Sequence, residues 1–418
     1  MRYVSSQRDR DKGVILNVVR NFGPISRVEI HRLTQIRMST ISLITKDLIA
    51  ESLLTEDGFS DNPTGRKQIL LKINEHEGFI LGIEFDADEV TVAILNLEPR
   101  IQHLSKELTV RDGGTLGLVD QLKSCARRTL EAAGLETSQL RGIGIADLGP
   151  VNRKAGVSVM SSQLDFWRNV PLARLMEEEF NVPVYIDNAT RCRGNAERLL
   201  GAGESDDDMV YIEYGAGIGS ALFAGGRPIE GHRTSSGEFG HTRVAGEDIP
   251  CKCGSFGCLE AVAGAQALAA RFREIAVEGV HSSALDLVAG NRASITGWHV
   301  LEAARQGDKI SSVIVEEMMR YLAMGIGNVV NLLDPARVVL DSRLAACGPE
   351  FLDQLRRAIR MQALSHITSD LVVCYGKLRE EAGVLGAGLL VLEVLFAIPE
   401  LKPPRYLVEQ NVMDTPVR

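Results

Sequence analysis

EFGHTRVAGEDIPCKCGSFGCLE, residues 238–260, gathers one histidine and three cysteines, His241, Cys251, Cys253 and Cys258, into a single short stretch with a glutamate at each end. A neutral imidazole and three thiolates form a complete tetrahedral set for Zn2+, with no position left open for a reactive water. A closed site of that kind holds loops in place and performs no hydrolysis. Glu238 and Glu260 are then the better candidates for contacting a ligand.

Outward from this stretch, 418 residues are long for one core, and two or three domains are expected. At 45% hydrophobic and 24% charged, the composition is that of an ordinary soluble globular protein. No apolar run follows Met1, so no signal peptide is expected. The most apolar segment, 382–398, is shorter than the roughly 20 residues of a membrane helix and carries Glu393, which predicts a buried helix and no membrane insertion. Seven cysteines, three of them clustered, fit a reducing cytoplasm and one metal site better than a disulfide framework. Cys125, Cys192, Cys347 and Cys374 are expected to be buried as small apolar side chains.

Charge is unevenly distributed. Residues 1–74 hold twelve Lys/Arg against eight Asp/Glu, a balance of +4, while the remainder sums to −13. A basic head on an acidic body is the pattern of a chain whose head alone meets a polyanion. Within the head, Val14, Ile15, Val18 and Val19 recur at a helical period up to Gly23-Pro24. Ser26 caps a short helix in which Val28, Ile30 and Leu33 are expected to pack inward. A third helix begins at Ser39 or Thr40, with Ile41, Ile44 and Leu48 on one face. Residues 52–74 then read as two strands around a polar turn that carries Arg66 and Lys67. The pattern is a winged helix-turn-helix over 1–74. Arg37, Met38, Ser39, Thr40 and Ser42 would meet base edges or phosphates in the major groove of a double-stranded DNA operator. Arg66 and Lys67 would reach the backbone or minor groove. Leu43, at a position that should be exposed, would touch a thymine methyl or pack locally. The bland alternative is a small helical domain for protein contacts.

From Gly78 the pattern changes to alternating strands and helices with glycine-rich strand ends, including helices over 116–133, capped by Thr115, and 312–333. This describes an α/β body with ligands gathered at its loops.

The whole pattern resembles the ROK family of bacterial sugar kinases and sugar-responsive repressors. The resemblance rests on EFGHTRV…CKCGSFGCLE together with GIGI…LGPV (142–151), FWRNVPL (166–172), VPVYIDN (182–188), GAGIG (215–219) and AMGIGNVVNLLDP (323–335). It implies a two-lobed actin-like (ribonuclease H-like) fold with a structural zinc site. Residues 75–187 plus about 383–400 would form one lobe, 188–382 the other, and 401–418 a loosely ordered tail. The head resembles the repressor branch, since the kinases usually lack it.

Against the family's phosphorylation machinery, this sequence departs. Where the kinases have D-x-G-G-T, residues 83–88 read IEFDAD: both glycines are gone, and Asp86 and Asp88 would repel a triphosphate. Counting from Pro183 to Glu197, the family's Glu-Asn-Asp triplet falls on Asp187, Asn188 and Ala189, and alanine cannot take a proton. A register slip making Asp187 the base is the alternative. The glycine-rich turn near residue 340 is here Leu340-Asp341-Ser342-Arg343, without glycine. GAGIG survives, but such turns also serve close packing.

The sugar contacts carry over intact, onto Asn188, Glu238, His241 and Glu260, acceptors of the kind a polyol requires. The resemblance therefore implies a cytoplasmic, sugar-responsive DNA-binding regulator with kinase activity lost, a repressor of carbohydrate uptake or catabolism genes. Its partners would be an operator, a sugar or sugar-phosphate effector, and a second copy, as a homodimer or dimer of dimers. Two alternatives stand beside it: an active sugar kinase with an appended DNA-binding domain, and a regulator that answers to a protein partner such as a transporter subunit.

Overall fold

The computed structural model describes residues 6–60, 67–203, 206–277 and 279–398. The expected tail, 401–418, and Arg66 lie outside the described residues.

Ser6 opens α1 (Gln7–Phe22) with a capping box closed by Asp9, and Ser26 opens α2 (Arg27–Thr34) in the same way with Glu29. These reciprocal bonds satisfy backbone donors that a helix leaves free at its start. Gln35, in the left-handed region, ends α2, and α3 (Met38–Ala50) follows. This third helix starts at Met38, earlier than Ser39 or Thr40, and its N-cap position is held by Arg37 without a side-chain bond. Three short strands, β1 (Ile25–Ser26), β2 (Leu54–Phe59) and β3 (Ile69–Ile73), form an antiparallel sheet in the order β1-β3-β2. Ile15, Val19, Ile30, Ile41, Ile44 and Leu48 are buried among these elements. Val28 and Leu33 are about half exposed, against the expectation that they pack inward: on an eight-residue helix only the Ile30 side faces α1 and α3. Ion pairs Arg8–Asp47 (2.5 Å) and Lys12–Glu51 (2.6 Å) tie α1 to α3 at the surface.

The body is mixed α/β, with two five-stranded sheets. The first contains β4 (Phe79–Phe85), β5 (Glu89–Leu95), β6 (Ile101–Leu108), β7 (Leu140–Asp147) and β11 (Val184–Asn188), in the order β11-β7-β4-β5-β6. A small sheet of β8 (Val151–Asn152), β9 (Val157–Met160) and β10 (Arg168–Val170) lies between β7 and β11 in the chain. Within it Trp167 is fully buried, donates to Ser158 Oγ at 2.7 Å and meets Phe85 edge-on at 5.3 Å. Helices α4 (Gly114–Ala132) and α5 (Leu172–Phe180) pack on this first sheet. Thr115 does not cap α4, because the helix starts two residues earlier than expected, at Gly114 behind Gly113; its hydroxyl donates instead to the Phe166 carbonyl at 2.7 Å.

The second sheet joins β12 (Met209–Tyr214), β13 (Ile218–Ala224), β14 (Arg227–Pro228), β15 (Arg337–Leu340) and β16 (Val372–Tyr375) in the order β14-β13-β12-β15-β16. Around its core stand α7 (Leu259–Ala263), α8 (Ala265–Ile275), α9 (Ser283–Asp286), α10 (Gly297–Arg305), α11 (Lys309–Leu333), α12 (Pro349–Gln362) and α13 (Ser365–Thr368). Asp308 caps α11, which gains three residues over the predicted 312–333.

Two helices join these parts. α6 (Ala189–Leu200) leaves β11 and packs on β13 and β12 of the second sheet. α14 (Ala382–Leu395) packs on α6 and on β7, β4 and β11 of the first sheet. Glu393, the charge in the apolar segment, accepts from Asn195 Nδ2 at 2.7 Å, and burial raises its carboxyl above the ordinary range. Leu385, Leu389 and Leu392 of α14 and Phe396, which caps it, share one apolar cluster with Ile15, Val19 and Leu71 of the head and with Ile80 and Leu95 of the first sheet, so the head and this part of the body have a continuous core. Of the scattered cysteines, Cys125 and Cys192 are buried while Cys347 and Cys374 are only partly so.

Candidate functional site

A cleft of about 890 Å³ opens between the two sheets. Its walls include Asn188 from the end of β11, Glu238 and His241 from a short turn of 3-10 helix (Phe239–His241), and Glu260 from the first turn of α7. All four predicted sugar contacts thus meet at one cavity.

The geometry divides the work of His241 between its two ring nitrogens. Nδ1 lies 3.7 Å from Cys251 Sγ, while Nε2 lies 3.9 Å from Glu238 Oε2. The ligand atoms of His241, Cys251, Cys253 and Cys258 all fall within 4.8 Å of one another, and Cys253 Sγ is 3.7 Å from Cys258 Sγ. A tetrahedral ion with bonds of about 2.3 Å to sulfur separates its ligands by roughly 3.7 Å, so this donor set can hold a metal ion. Pairing of the cysteines with each other is not seen; all are free thiols. The loop closes through short-range bonds: Cys251 N–H donates to the Ser255 carbonyl, Gly254 N–H to Cys251, and Val244 pairs with Gly257. Glu260 Oε1 reaches both His241 Nδ1 (3.6 Å) and Cys251 Sγ (3.5 Å), which places this carboxylate at the seam between metal cluster and cleft.

Asn188 also has structural duties. Its Oδ1 accepts from the backbone N–H of Thr190 and Arg191, capping α6, and its Nδ2 donates to the Gly149 carbonyl at 3.0 Å. Its neighbour Asp187 is 4% exposed and held by Arg191, with Arg153 3.4 Å away. A carboxylate fixed in that way is poorly placed to abstract a proton. Ala189, the first residue of α6, lines the cleft and offers no acceptor.

The glycines of GAGIG serve close approach. A Cβ on Gly217 would stand 2.7 Å from Glu260 Oε2, and one on Gly219 would stand 2.9 Å from Thr190 Oγ1. The strand end that replaces D-x-G-G-T is closed by Asp86, whose Oδ1 accepts from Asp88 N–H (2.7 Å) and Glu89 N–H (2.8 Å), an ordinary hairpin turn. Asp341 accepts from the Arg343 backbone N–H at 2.9 Å and so caps the turn where the sequence lacks glycine.

Charged residues on this side of the cleft escaped the sequence reading. Arg193 on α6 donates to Glu84 Oε1 on β4 at 2.7 Å and lies 3.2 Å from Glu213 Oε1 on β12. Burial raises the Glu84 carboxyl against the pull of Arg193; for Arg193 the opposing effect of burial is outweighed by Glu84 and Glu213, which hold it protonated. The short, direct bond between Arg193 and Glu84 keeps the pair ionised. The signal in the sequence was available: Arg193 stands one helical turn beyond Ala189 on the same face of α6.

In the head, Arg37, Met38, Ser39 and Ser42 are exposed on the start of α3 and Thr40 is half-buried. Leu43 is 52% exposed beside them, and Lys67 is exposed at the start of the segment leading into β3.

A mixed α/β protein with a His/Cys cluster that could hold a metal ion, bordering a carboxylate-lined cleft, is the class defined by this geometry. The ROK family model matches residues 80–394, and the chain belongs to the ROK family. A xylose repressor of Caldicellulosiruptor bescii is 27% identical over 393 residues, covering 93% of this chain and 97% of its own length. The fold is shared across 93% of the chain, at a TM-score of 0.82 and 24% identity, with a ROK family transcriptional regulator described as a homologue of the E. coli MLC protein. A ROK family glucokinase of Streptomyces griseus, in complex with glucose and AMPPNP, covers 75% of this chain and 99% of its own, at a TM-score of 0.66 and 27% identity. No described helix is long and apolar enough to cross a membrane.

Proposed function

We propose that this chain is a sugar-responsive transcriptional repressor of carbohydrate genes that has lost the phosphorylation step of its kinase relatives. One contrast carries the reading. The acceptors suited to sugar hydroxyls, Asn188, Glu238, His241 and Glu260, meet at one cleft, while Ala189 stands where a base would be needed. The likeness to a protein named a xylose repressor, extending through the head, supports the same reading.

In this reading residues 1–74 are a winged helix-turn-helix. α3 presents Arg37, Met38, Ser39, Thr40 and Ser42 to the major groove, and Arg66 and Lys67 approach the backbone from the wing. Residues 75–187 with the α14 segment, and 188–382, act as two lobes of an actin-like body. A sugar bound between them shifts their relative orientation, and a dimer converts that shift into a changed spacing of its two heads. The metal held by His241, Cys251, Cys253 and Cys258 is Zn2+, whose ligand set leaves no open position; it would supply rigidity to the loop and orient His241.

Purified protein should bind DNA upstream of linked carbohydrate genes selectively and in a salt-sensitive manner, and a sugar should change that affinity. Absence of selective DNA binding by the folded, metal-loaded protein would sink the reading.

A further inference from the structure

Five side chains of alternating sign run across the cleft from one sheet to the other. Arg193 joins Glu84 (2.7 Å) to Glu213 (3.2 Å), and Arg343 joins Glu213 (3.7 Å) to Asp341 (2.6 Å). Thr190 Oγ1 also donates to Glu213. Arg343 is held further by the Trp298 ring, 5.8 Å from its guanidinium carbon, and lies in van der Waals contact with the space above Gly215 of GAGIG.

Each guanidinium is already paired with two carboxylates. Three ladder carboxylates outnumber two arginines, Asp86 lines the same end, and Asp88 is matched by Arg111 at 3.0 Å. The carboxylates cannot readily swing away: Glu84 is 7% exposed and Asp341 is 3% exposed, the latter also accepting from two backbone N–H groups. A phosphate placed here must either displace a carboxylate from Arg193, whose side chain is only 20% exposed, or sit beside the carboxylates uncompensated, and both are costly; at the more open Arg343 it must compete with Asp341, whose carboxylate is held by backbone N–H groups. The opposite end, with Glu238, Glu260 and His241, asks for hydroxyl donors.

Building on the proposed function, we propose that the cleft takes an uncharged, unphosphorylated sugar, and that the ladder is the specificity element that rejects sugar phosphates and nucleotides. Glu213 is its pivot, since it is the one carboxylate shared by both arginines.

The test is calorimetry on the full-length, metal-loaded protein with D-xylose, D-glucose and N-acetyl-D-glucosamine, with the 6-phosphates of the two hexoses, and with MgATP. A neutral sugar should bind, its phosphate should bind at least about tenfold more weakly, and MgATP should give no heat. Glu213→Gln, which keeps the shape but removes the shared charge, should narrow the gap between sugar and sugar phosphate severalfold. Asp341→Asn serves the same purpose should Glu213→Gln fail to fold, as judged by thermal melting. A sugar phosphate that binds as tightly as its parent sugar overturns the proposal while leaving a sugar-responsive repressor intact. An unchanged gap in both folded variants overturns the role of the ladder. Failure of every sugar and sugar phosphate to bind overturns this proposal and the sugar-responsive reading together.

Discussion

The side-chain amide of Asn17 donates to the backbone carbonyl of Phe396 at 2.6 Å, joining α1 of the head to the end of α14 across 379 residues of chain. Arg20 adds a second contact to the same residue, its guanidinium carbon 4.7 Å from the Phe396 ring centroid. Since α14 packs on α6, and α6 begins at Asn188 in the cleft, the same two helices border the cleft at one end and the head at the other. Phe396→Ala should therefore lower stability by about 3 kcal/mol, in the range for a buried aromatic. It should also weaken the effect of sugar on DNA affinity more than DNA affinity itself. Denaturant melts and operator titrations with and without sugar read the two effects separately.

Removal of the metal, by chelation or by Cys253→Ser, should lower the melting temperature and empty the site, as measured by elemental analysis. The cluster consists of loop residues held mainly by turn bonds, so under the proposed zinc reading its order would depend on the ion. Retained metal content and unchanged melting in Cys253→Ser would refute a structural role for the cluster.

Asp147 ends β7 fully buried, and burial pushes its carboxyl from the ordinary value up to about 7, against an N–H bond from Gly149. The folded chain therefore holds a proton that the unfolded chain releases near pH 4. Between about pH 4 and 7 the folded state binds more protons, so this group lowers stability as pH rises through that window. Asp147→Asn should remove the slope and leave the variant more stable than the parent at pH 8, by an amount on the order of a few kcal/mol. Urea melts at pH 5 and pH 8 provide the check, and a gap that does not widen at the higher pH contradicts the assignment.

Arg37→Ala should weaken operator binding and reduce the slope of log affinity against log salt by about one, as expected on losing one phosphate contact. Binding titrations at several salt concentrations separate this from a folding defect. A lost affinity with an unchanged slope would point to a base contact instead.

Restoring a carboxylate with Ala189→Asp should not restore sugar phosphorylation. The nucleotide end is altered independently, by the Asp86 turn and by the Glu84–Arg193–Glu213 bridges. An ATP-coupled assay that detects turnover in this variant would show that only the base had been lost.

The His241, Cys251, Cys253 and Cys258 cluster was legible as a possible metal site because that chemistry depends on residue type and short spacing, whereas Asn188, Glu238, His241 and Glu260 were named from the resemblance to the ROK family, and the fold gathers them at one cleft. The helices of the head were legible from Ile15, Ile41 and Leu48, whose period reports burial directly. Val28 and Leu33 misled because a short helix with three apolar residues does not specify which of them faces the neighbours. Thr115 looked like a cap because its side chain has the right chemistry, but a distant carbonyl at Phe166 claims its hydroxyl. The ladder was invisible for a related reason. Glu84, Arg193, Glu213 and Asp341 lie on four separate elements, and only the folded arrangement of the two sheets brings their charges together.

The shared core of head and α14 has a consequence for synthesis. A growing chain makes Ile15, Val19 and Leu71 well before Leu389, Leu392 and Phe396, which follow both five-stranded sheets in the chain. Until then the head has an apolar flank that α14 has yet to cover, although Ile80 and Leu95 of the first sheet already pack in the same cluster. The head can fold early, but it becomes coupled to the cleft only in a chain translated through residue 396, so a truncated product would retain a head unable to answer to the body.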